Sequence, residues 1–342
     1  MKVLIFADIH GHNFREFSYI DDDGFNSRLI EQAIVLNNIH RSGVKHKVDQ
    51  VWFLGDLTHL KNNIDTQVIR SLMLEMMSIA GSFPVWVIPG NHDYRLWSAD
   101  PALLQMLQDG EERIHVAQSF NWHGIDGKTR LRIMALPYTR SLAGLNEDIE
   151  ALDSDPSKDI FLGHQDIIGV NYGKFIVQKG LDADVLSRKF RLSLIGHYHN
   201  RKQVRKNVLS VGAPMQHNFG DAHQSRGWWI LDTDTYELEF IENDFSPRFW
   251  KIKTSDENEP QDLPGDPEKD YYWVTVKGSK LPDRFKPIRW KRVNFDIENT
   301  TKDRIDMKLS DSTDDIIEKY VKAKNPHGLD NDKLIEIGRR YL

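Results

Sequence analysis

One arrangement recurs along this chain and constrains its fold more than anything else: a short apolar run that stops at Asp, His or Asn. It appears in "VLIFADIH" (3–10), "QVWFLGDLTH" (50–59), "PVWVIPGNHD" (84–93), "DIFLGHQD" (159–166) and "LSLIGHYH" (192–199), and "RIMALPY" (132–138) is a further run of the same kind. Runs that are apolar at nearly every position and are bounded by Gly, Pro or Asp read as strands buried on both faces. Helical periodicity lies between several of them. Leu29, Ile30, Ala33 and Ile34 set it in 27–41, and Val68, Ile69, Leu72, Met76 and Ile79 in 67–79. Strands alternating with helices specify an α/β core with parallel pairing, and open α/β sheets gather ligand sites at their strand ends.

With 342 residues, the chain has room for one large domain and small appendages. The apolar run before Asp8 is too short for a signal segment, and no run of eighteen apolar residues occurs anywhere, so the expectation is no membrane span and a cytoplasmic location, in a bacterium or an infected host cell. Cysteine is absent, which excludes a disulfide scaffold and any thiolate metal site. The formal net charge of −6 does not advertise a nucleic-acid binder.

The pattern changes after about residue 245. "GWWILDTDTYELEFIE" (227–242) reads as a hairpin, with Tyr236, Leu238 and Phe240 on a buried face. Residues 254–270 are acidic and rich in Pro and Gly, without apolar period. The expected division is a main domain over 1–250, a linker over 251–270, a small α/β capping unit over 271–309 and a helical tail over 310–342. In the tail, Ser312 with Asp314 and Asp315 suits a helix start, and Ile316, Ile317, Tyr320 and Val321 share a face. A second helix over 331–342 carries Leu334, Ile335 and Tyr341. Two short helices cannot enclose such stripes alone, which leaves docking on the chain itself or on a partner.

The polar ends of the strands supply Asp8 and His10, Asp56 and His59, Asn91, His92 and Asp93, His164, and His197 with His199. Each piece alone has an ordinary structural explanation: a strand-end cap, a Gly-Asp turn, a helix N-cap, a hydrogen-bonded core histidine. Together they form a ligand set of Asp, His and Asn without Cys, suited to divalent cations such as Mn, Fe or Zn and large enough for two ions.

The motifs "GDLTH", "PGNHD" and "GHYH" resemble those of the calcineurin-type metallophosphoesterases, over about residues 1–245. The resemblance implies a sandwich of two mixed β-sheets flanked by helices. It also implies a centre with two divalent ions, Mn first, with Mg, Fe or Zn as alternatives. Asp8, His10, Asp56 and His199 would hold one ion, and Asn91, His164, His197 and again Asp56 the other. Aspartate suits the bridge because one carboxylate presents two oxygens. His92 would act near the leaving group, not as a ligand.

Within the family, three features resemble the SbcD branch of DNA-break nucleases. His59 stands where that branch has an additional catalytic histidine, although a supporting role suits the position equally. "LSVGAPMQHNFGDAHQSRGWWILD" (209–232) is similar to a branch segment, with Ala213, Asp221 and Arg226 replacing its Ser, Glu and Lys; His217 within it either faces the metals or is a plain loop histidine. The capping unit carries Arg284, Lys286, Arg289, Lys291 and Arg292 around Trp290, a set that could track a phosphate backbone or be a solvated basic face. The resemblance therefore implies a Mn-dependent exonuclease and endonuclease acting on DNA duplex ends or hairpins in repair and recombination. It further implies an SbcC-like SMC-type ATPase partner docked on the tail, and a homodimer for which Met73, Met76 and Met77 are candidates. The chain is short for the branch, which points to a phage source. The alternatives are a phosphodiesterase or phosphatase acting on small molecules or proteins, and a metal-free scaffold.

Overall fold

The structure, a computed structural model, describes residues 1–95, 100–124, 131–172, 175–255, 263–296, 310–325 and 328–340. Two six-stranded mixed sheets form the main domain. In the first, β1 (Lys2–Phe6), β2 (Gln50–Phe53), β3 (Val85–Val87) and β4 (Ile114–Val116) run parallel, with helices α1 (Ser27–His46), α2 (Thr66–Ser82) and α3 (Ala102–Gly110) between them. The second is built on β5 (Asn121–Gly124), β6 (Arg132–Leu136), β7 (Ile160–His164), β10 (Leu192–Gly196), β11 (Lys202–Arg205) and β12 (Val208–Ser210). Helices α4 (Leu145–Ala151) and α5 (Ala183–Lys189) and the small hairpin of β8 (Asn171–Tyr172) and β9 (Phe175–Ile176) join its strands. The chain then returns to the first sheet, where β13 (Gly227–Asp232) lies antiparallel to β1 and β14 (Glu237–Glu242) forms the edge.

The strand period of two explains why β1 is apolar throughout. Leu4 and Phe6 face the layer under α1 to α3, while Val3 and Ile5 face the layer between the sheets. A third layer, containing Phe161, Leu186 and Phe190, fills the space between the second sheet and α4 and α5. Parallel pairing brings the C-terminal ends of β1, β2 and β3 to one edge and those of β7 and β10 to the facing one, with Gly196 in register with His164. Every polar motif thereby arrives at the same rim.

Several expectations need correction. On the edge strand β14, Leu238 and Phe240 are only half-buried, Leu238 against the layer between the sheets and Phe240 under Arg201. Residues 251–255, assigned above to the linker, belong to a strand, β15 (Phe249–Ser255). It pairs in parallel with β16 (Tyr271–Lys277), and that with β17 (Trp290–Asp296), to make the capping sheet. Its alternation of Lys and Ser with buried residues hid it. Met76 is fully buried, and Met73 and Met77 are half-buried against the same core.

The cap is tied to the main domain through Arg28 of α1. This buried guanidinium lies 4.8 Å from the ring centre of Tyr271 and 5.2 Å from those of Phe249 and Phe14. It pairs with Glu31, which also accepts the Tyr271 hydroxyl, and donates to the carbonyl of His217. Cation, carboxylate and rings satisfy one another at a joint that burial alone would make costly.

The tail forms α6 (Thr313–Lys324) and α7 (Asn331–Arg340). Ser312 and Asp315 make the reciprocal capping box at the start of α6. The helices pack on each other: Arg339 pairs with Asp314, Ile335 is buried, and a Cβ on Gly338 would come within 3.0 Å of Ile317. Val321 and Leu334 are half-buried, while Ile316 and Tyr320 stay exposed. Tyr341 lies outside the described residues.

Candidate metal centre

Asp8, His10, Asp56 and His197 all have left-handed backbone, with φ of 57°, 48°, 60° and 97°. Such conformations are unfavourable for side-chain-bearing residues and tend to cluster at functional sites. Here they turn each strand end sharply, so that its polar side chains point across the rim. Hydrogen bonds lock the turns together: Asp8 N donates to Gly55 O, His10 N to Asp56 O, and His197 N to the Asp8 carboxylate across the two sheets. Asp93, a motif residue without an assigned role, accepts the amides of Asp56, Leu57 and Gly90 at 2.7, 2.9 and 2.8 Å. Burial, then the nearby Asp56, pushes its carboxyl up to about 7.

Close approach also explains the glycine before Asn91. A Cβ on Gly90 would overlap Asp56 Oδ1 and stand 2.6 Å from both Asp56 N and His164 Cε1. Backbone atoms cannot yield cheaply. Gly90→Ala should therefore displace Asp56 and lower metal affinity by about tenfold or more, the scale of damage to groups that orient ligands. Metal titration of the purified variant checks this.

Two ligand groups emerge. Asp8, His10 and His199 place donor atoms within 4.8 Å of one another, and so do Asp56, His164 and His197. Asn91 joins the second group, its Oδ1 lying 3.2 Å from His164 Nε2 and 2.9 Å from His197 Nδ1. Asp56 stands between the groups, with Oδ2 3.6 Å from His10 Nε2 and 3.4 Å from His164 Nε2. Its Oδ1 accepts the His92 amide at 2.6 Å. The residues fit a cation. Both ring nitrogens of His10 are buried without a hydrogen-bond partner, which buried polar atoms rarely tolerate.

Charge supports the same conclusion. Burial favours the neutral carboxyl and prevails at Asp8, which is raised above its ordinary range. At Asp56 burial is outweighed by His164, and that carboxyl is held well below its usual range. Burial likewise opposes charge on His164, but Asp56 and Asp8 overcome it and raise the imidazole to about 9. The centre demands positive charge, and bound metal would displace that proton.

The histidines are oriented from behind. His164 Nδ1 donates to Leu54 O at 2.6 Å, His199 Nδ1 lies 3.3 Å from Asp221, and His197 Nε2 lies 3.2 Å from Asp166. In each, one ring nitrogen is occupied and the other is left for the centre. Asp166 was not singled out from sequence, and Asp221 only as part of a resembling segment. His217, left open above, belongs here: its Nε2 donates to Asp8 O at 2.9 Å, and its ring is 5.3 Å from that of His10 and 4.9 Å from that of His199. Burial, then His199, pushes it down to about 3, so it stays neutral.

His92 hangs over the rim, with Nδ1 donating to the carbonyl of His59 and its ring centre 4.7 Å from that of His10. The His59 ring lies beside His92, His12 and Phe14, and burial, then His92, pushes it down to about 4. His10, His59 and His92 themselves form a third group within 4.8 Å.

The basic residues of the cap are largely engaged within the protein. Arg292 pairs with Glu16 and Lys286 with Asp283. Lys291 donates to the carbonyls of Lys286 and Ile288. Arg289 stacks over Tyr19 and Trp290, and Arg284 donates to Thr254.

Comparison with known proteins gives a family and a few relatives. The calcineurin-like phosphoesterase family matches over residues 1–201. "Exonuclease subunit 1" of Enterobacteria phage T4 is 32% identical over 87 residues, 25% of this chain and 25% of that protein. Protein 244L of Invertebrate iridescent virus 6, which bears a phosphoesterase name, is 21% identical over 178 residues, 50% of this chain and 60% of the relative. The chain thus spans less than two thirds of either relative's length. TT1561 of Thermus thermophilus is a structural neighbour at 11% identity and a TM-score of 0.43, covering 70% of this chain and 98% of its own. No helix among the described residues is long and apolar enough to cross a membrane.

Proposed function

The chain belongs to the calcineurin-like phosphoesterase family, and from that premise we propose that it is a two-metal DNA phosphodiesterase, a nuclease of the SbcD kind. The observation that carries the reading is Asp56 Oδ2, placed between the nitrogens of His10 and His164 where two ligand groups meet. Asp8, His10, His199 and Asp56 would hold one ion, and Asn91, His164, His197 and Asp56 would hold the other. Mn is the first expectation. When bound, a metal pair supplies a deprotonated water and neutralises charge on a phosphoryl oxygen. The protein's own groups do the rest. Asp166, Asp221 and the Leu54 carbonyl fix the tautomers of the ligating histidines. His92, whose Nδ1–H is held by the His59 carbonyl, turns Nε2 to the rim, and in its imidazolium form it gives the Nε2 proton to the departing alkoxide. His59 serves by holding His92.

Support for DNA as the substrate comes from the aligned segment shared with the phage exonuclease subunit and from the resemblance of residues 209–232. Purified protein with Mn should cleave hairpin DNA as well as an aryl phosphodiester. Hydrolysis of the aryl ester alone would make it a small-molecule phosphodiesterase. Failure on both, without metal uptake, would make it a scaffold.

The exposed Ile316 and Tyr320 favour the tail as a docking element for an SbcC-like ATPase. Removal of 310–342 should leave Mn-dependent DNA cleavage in place and abolish co-purification with the ATPase and stimulation by ATP. A truncated chain that precipitates while the partner still binds would reassign the tail to the core.

A further inference from the structure

A second cavity, of about 640 Å³, opens beside the metal centre and shares Asn91 with it. Its size is that of a small-ligand site, for which ~300–1,000 Å³ is usual. Tyr94, Phe120 and Tyr138 line it, with Arg140 and Gln118. The wall is firm: Phe120 backs onto the core layer around Phe161 and Phe190, and Tyr138 N donates to Pro89 O at 2.9 Å. The ring of Tyr138 lies 6.3 Å from that of His197, at the junction of cavity and centre.

Charge is arranged there as well. Arg140 is exposed on the cavity wall, and one carboxylate, Asp148, shares the lining. Among the described residues Arg140 makes no ion pair with Asp148 or with another carboxylate. Aromatic faces next to an unpaired cation match the alternation of base and phosphate along a single strand. An apolar side chain would leave the cation unused, and a sugar phosphate without a base would leave the rings uncovered.

Resting on the phosphodiesterase reading of the neighbouring centre, we infer that this cavity takes the nucleoside adjoining the scissile phosphodiester. Its base stacks on Tyr138 and Phe120, and the next phosphate along the strand lies against Arg140. The specificity for nucleic acid would then reside beside Asn91 and not in the cap, whose basic residues are already paired or stacked.

The test uses the full chain, first stripped of metal, titrated with deoxyadenosine monophosphate and with deoxyribose 5-phosphate. The nucleotide should bind about tenfold more tightly than the sugar phosphate, the usual worth of one stacked base. Tyr138→Ala should erase that difference, Tyr138→Phe should restore it, and Arg140→Ala should weaken both ligands. With Mn present, Tyr138→Ala should lower kcat/KM for a dinucleotide about tenfold more than for methyl p-nitrophenyl phosphate. Equal binding of the two ligands by the natural protein, or equal losses on the two substrates, would overturn the assignment. A protein that prefers the nucleotide through Tyr138 yet cleaves no phosphodiester would keep the cavity and sink the catalytic reading of its neighbour.

Discussion

Asp56→Asn should remove hydrolysis and loosen both metals together, because the substitution takes charge from the side chain that stands between the two ligand groups. Asn is the cleaner choice than Ala. Its side-chain oxygen can still accept the His92 amide that Asp56 Oδ1 accepts at 2.6 Å, and Asn tolerates the left-handed backbone at this position, where φ is 60°. Asp56→Ala would also leave that amide unpaired, at a cost of about 1–3 kcal/mol, and so would mix a folding defect with the chemical one. The expected result for Asp56→Asn is therefore a folded protein whose metal-free melting temperature falls, because the buried His164 loses its main carboxylate partner. It should bind fewer than two Mn at concentrations that saturate the natural protein, and cleave DNA no faster than a chelator blank. Two tightly bound Mn with normal hydrolysis would falsify the bridging role. Loss of one ion with the other held normally would place Asp56 in a single site.

How much of this centre could be seen in the sequence follows from how each residue gets there. Asp8, Asp56, Asn91, His164 and His197 announce themselves because each ends or follows a strand buried on both faces, and such strands are apolar without interruption. The supporting groups give no such signal. Asp221 meets His199 only after a loop has crossed the rim, and the carbonyls of Leu54 and His59 that orient His164 and His92 are backbone atoms with no side-chain signature. The left-handed turns were hidden for a related reason: glycine would have marked them, but Asp and His occupy them because the ligands must stand where the chain bends. In the fold, β5 and β15 escaped notice because they alternate or lie at an edge, where polar residues are free to face outward. The cap's basic run misleads in the opposite direction. Composition shows the positive charge but not Glu16 or Asp283, which absorb part of it.

His92 offers the sharpest separation of chemistry from metal binding. Its Nδ1–H is committed to the His59 carbonyl, which leaves Nε2 facing the rim as the atom that carries a transferable proton only in the imidazolium form, yet His10, His59 and His92 also lie close enough together to share an ion. The two roles predict different losses. As a proton donor, His92→Ala keeps both metals and DNA affinity and loses about 10²–10⁴-fold in kcat on DNA, the usual contribution of a positioned acid. The loss should shrink strongly on an aryl phosphodiester, because a p-nitrophenolate leaves without needing a proton, whereas the sugar alkoxide of DNA does need one. As a ligand, the same substitution would lower metal content and depress both substrates alike. Measuring Mn stoichiometry together with kcat on DNA and on the aryl ester decides between them, and an equal loss on both substrates with metal released would overturn the catalytic assignment.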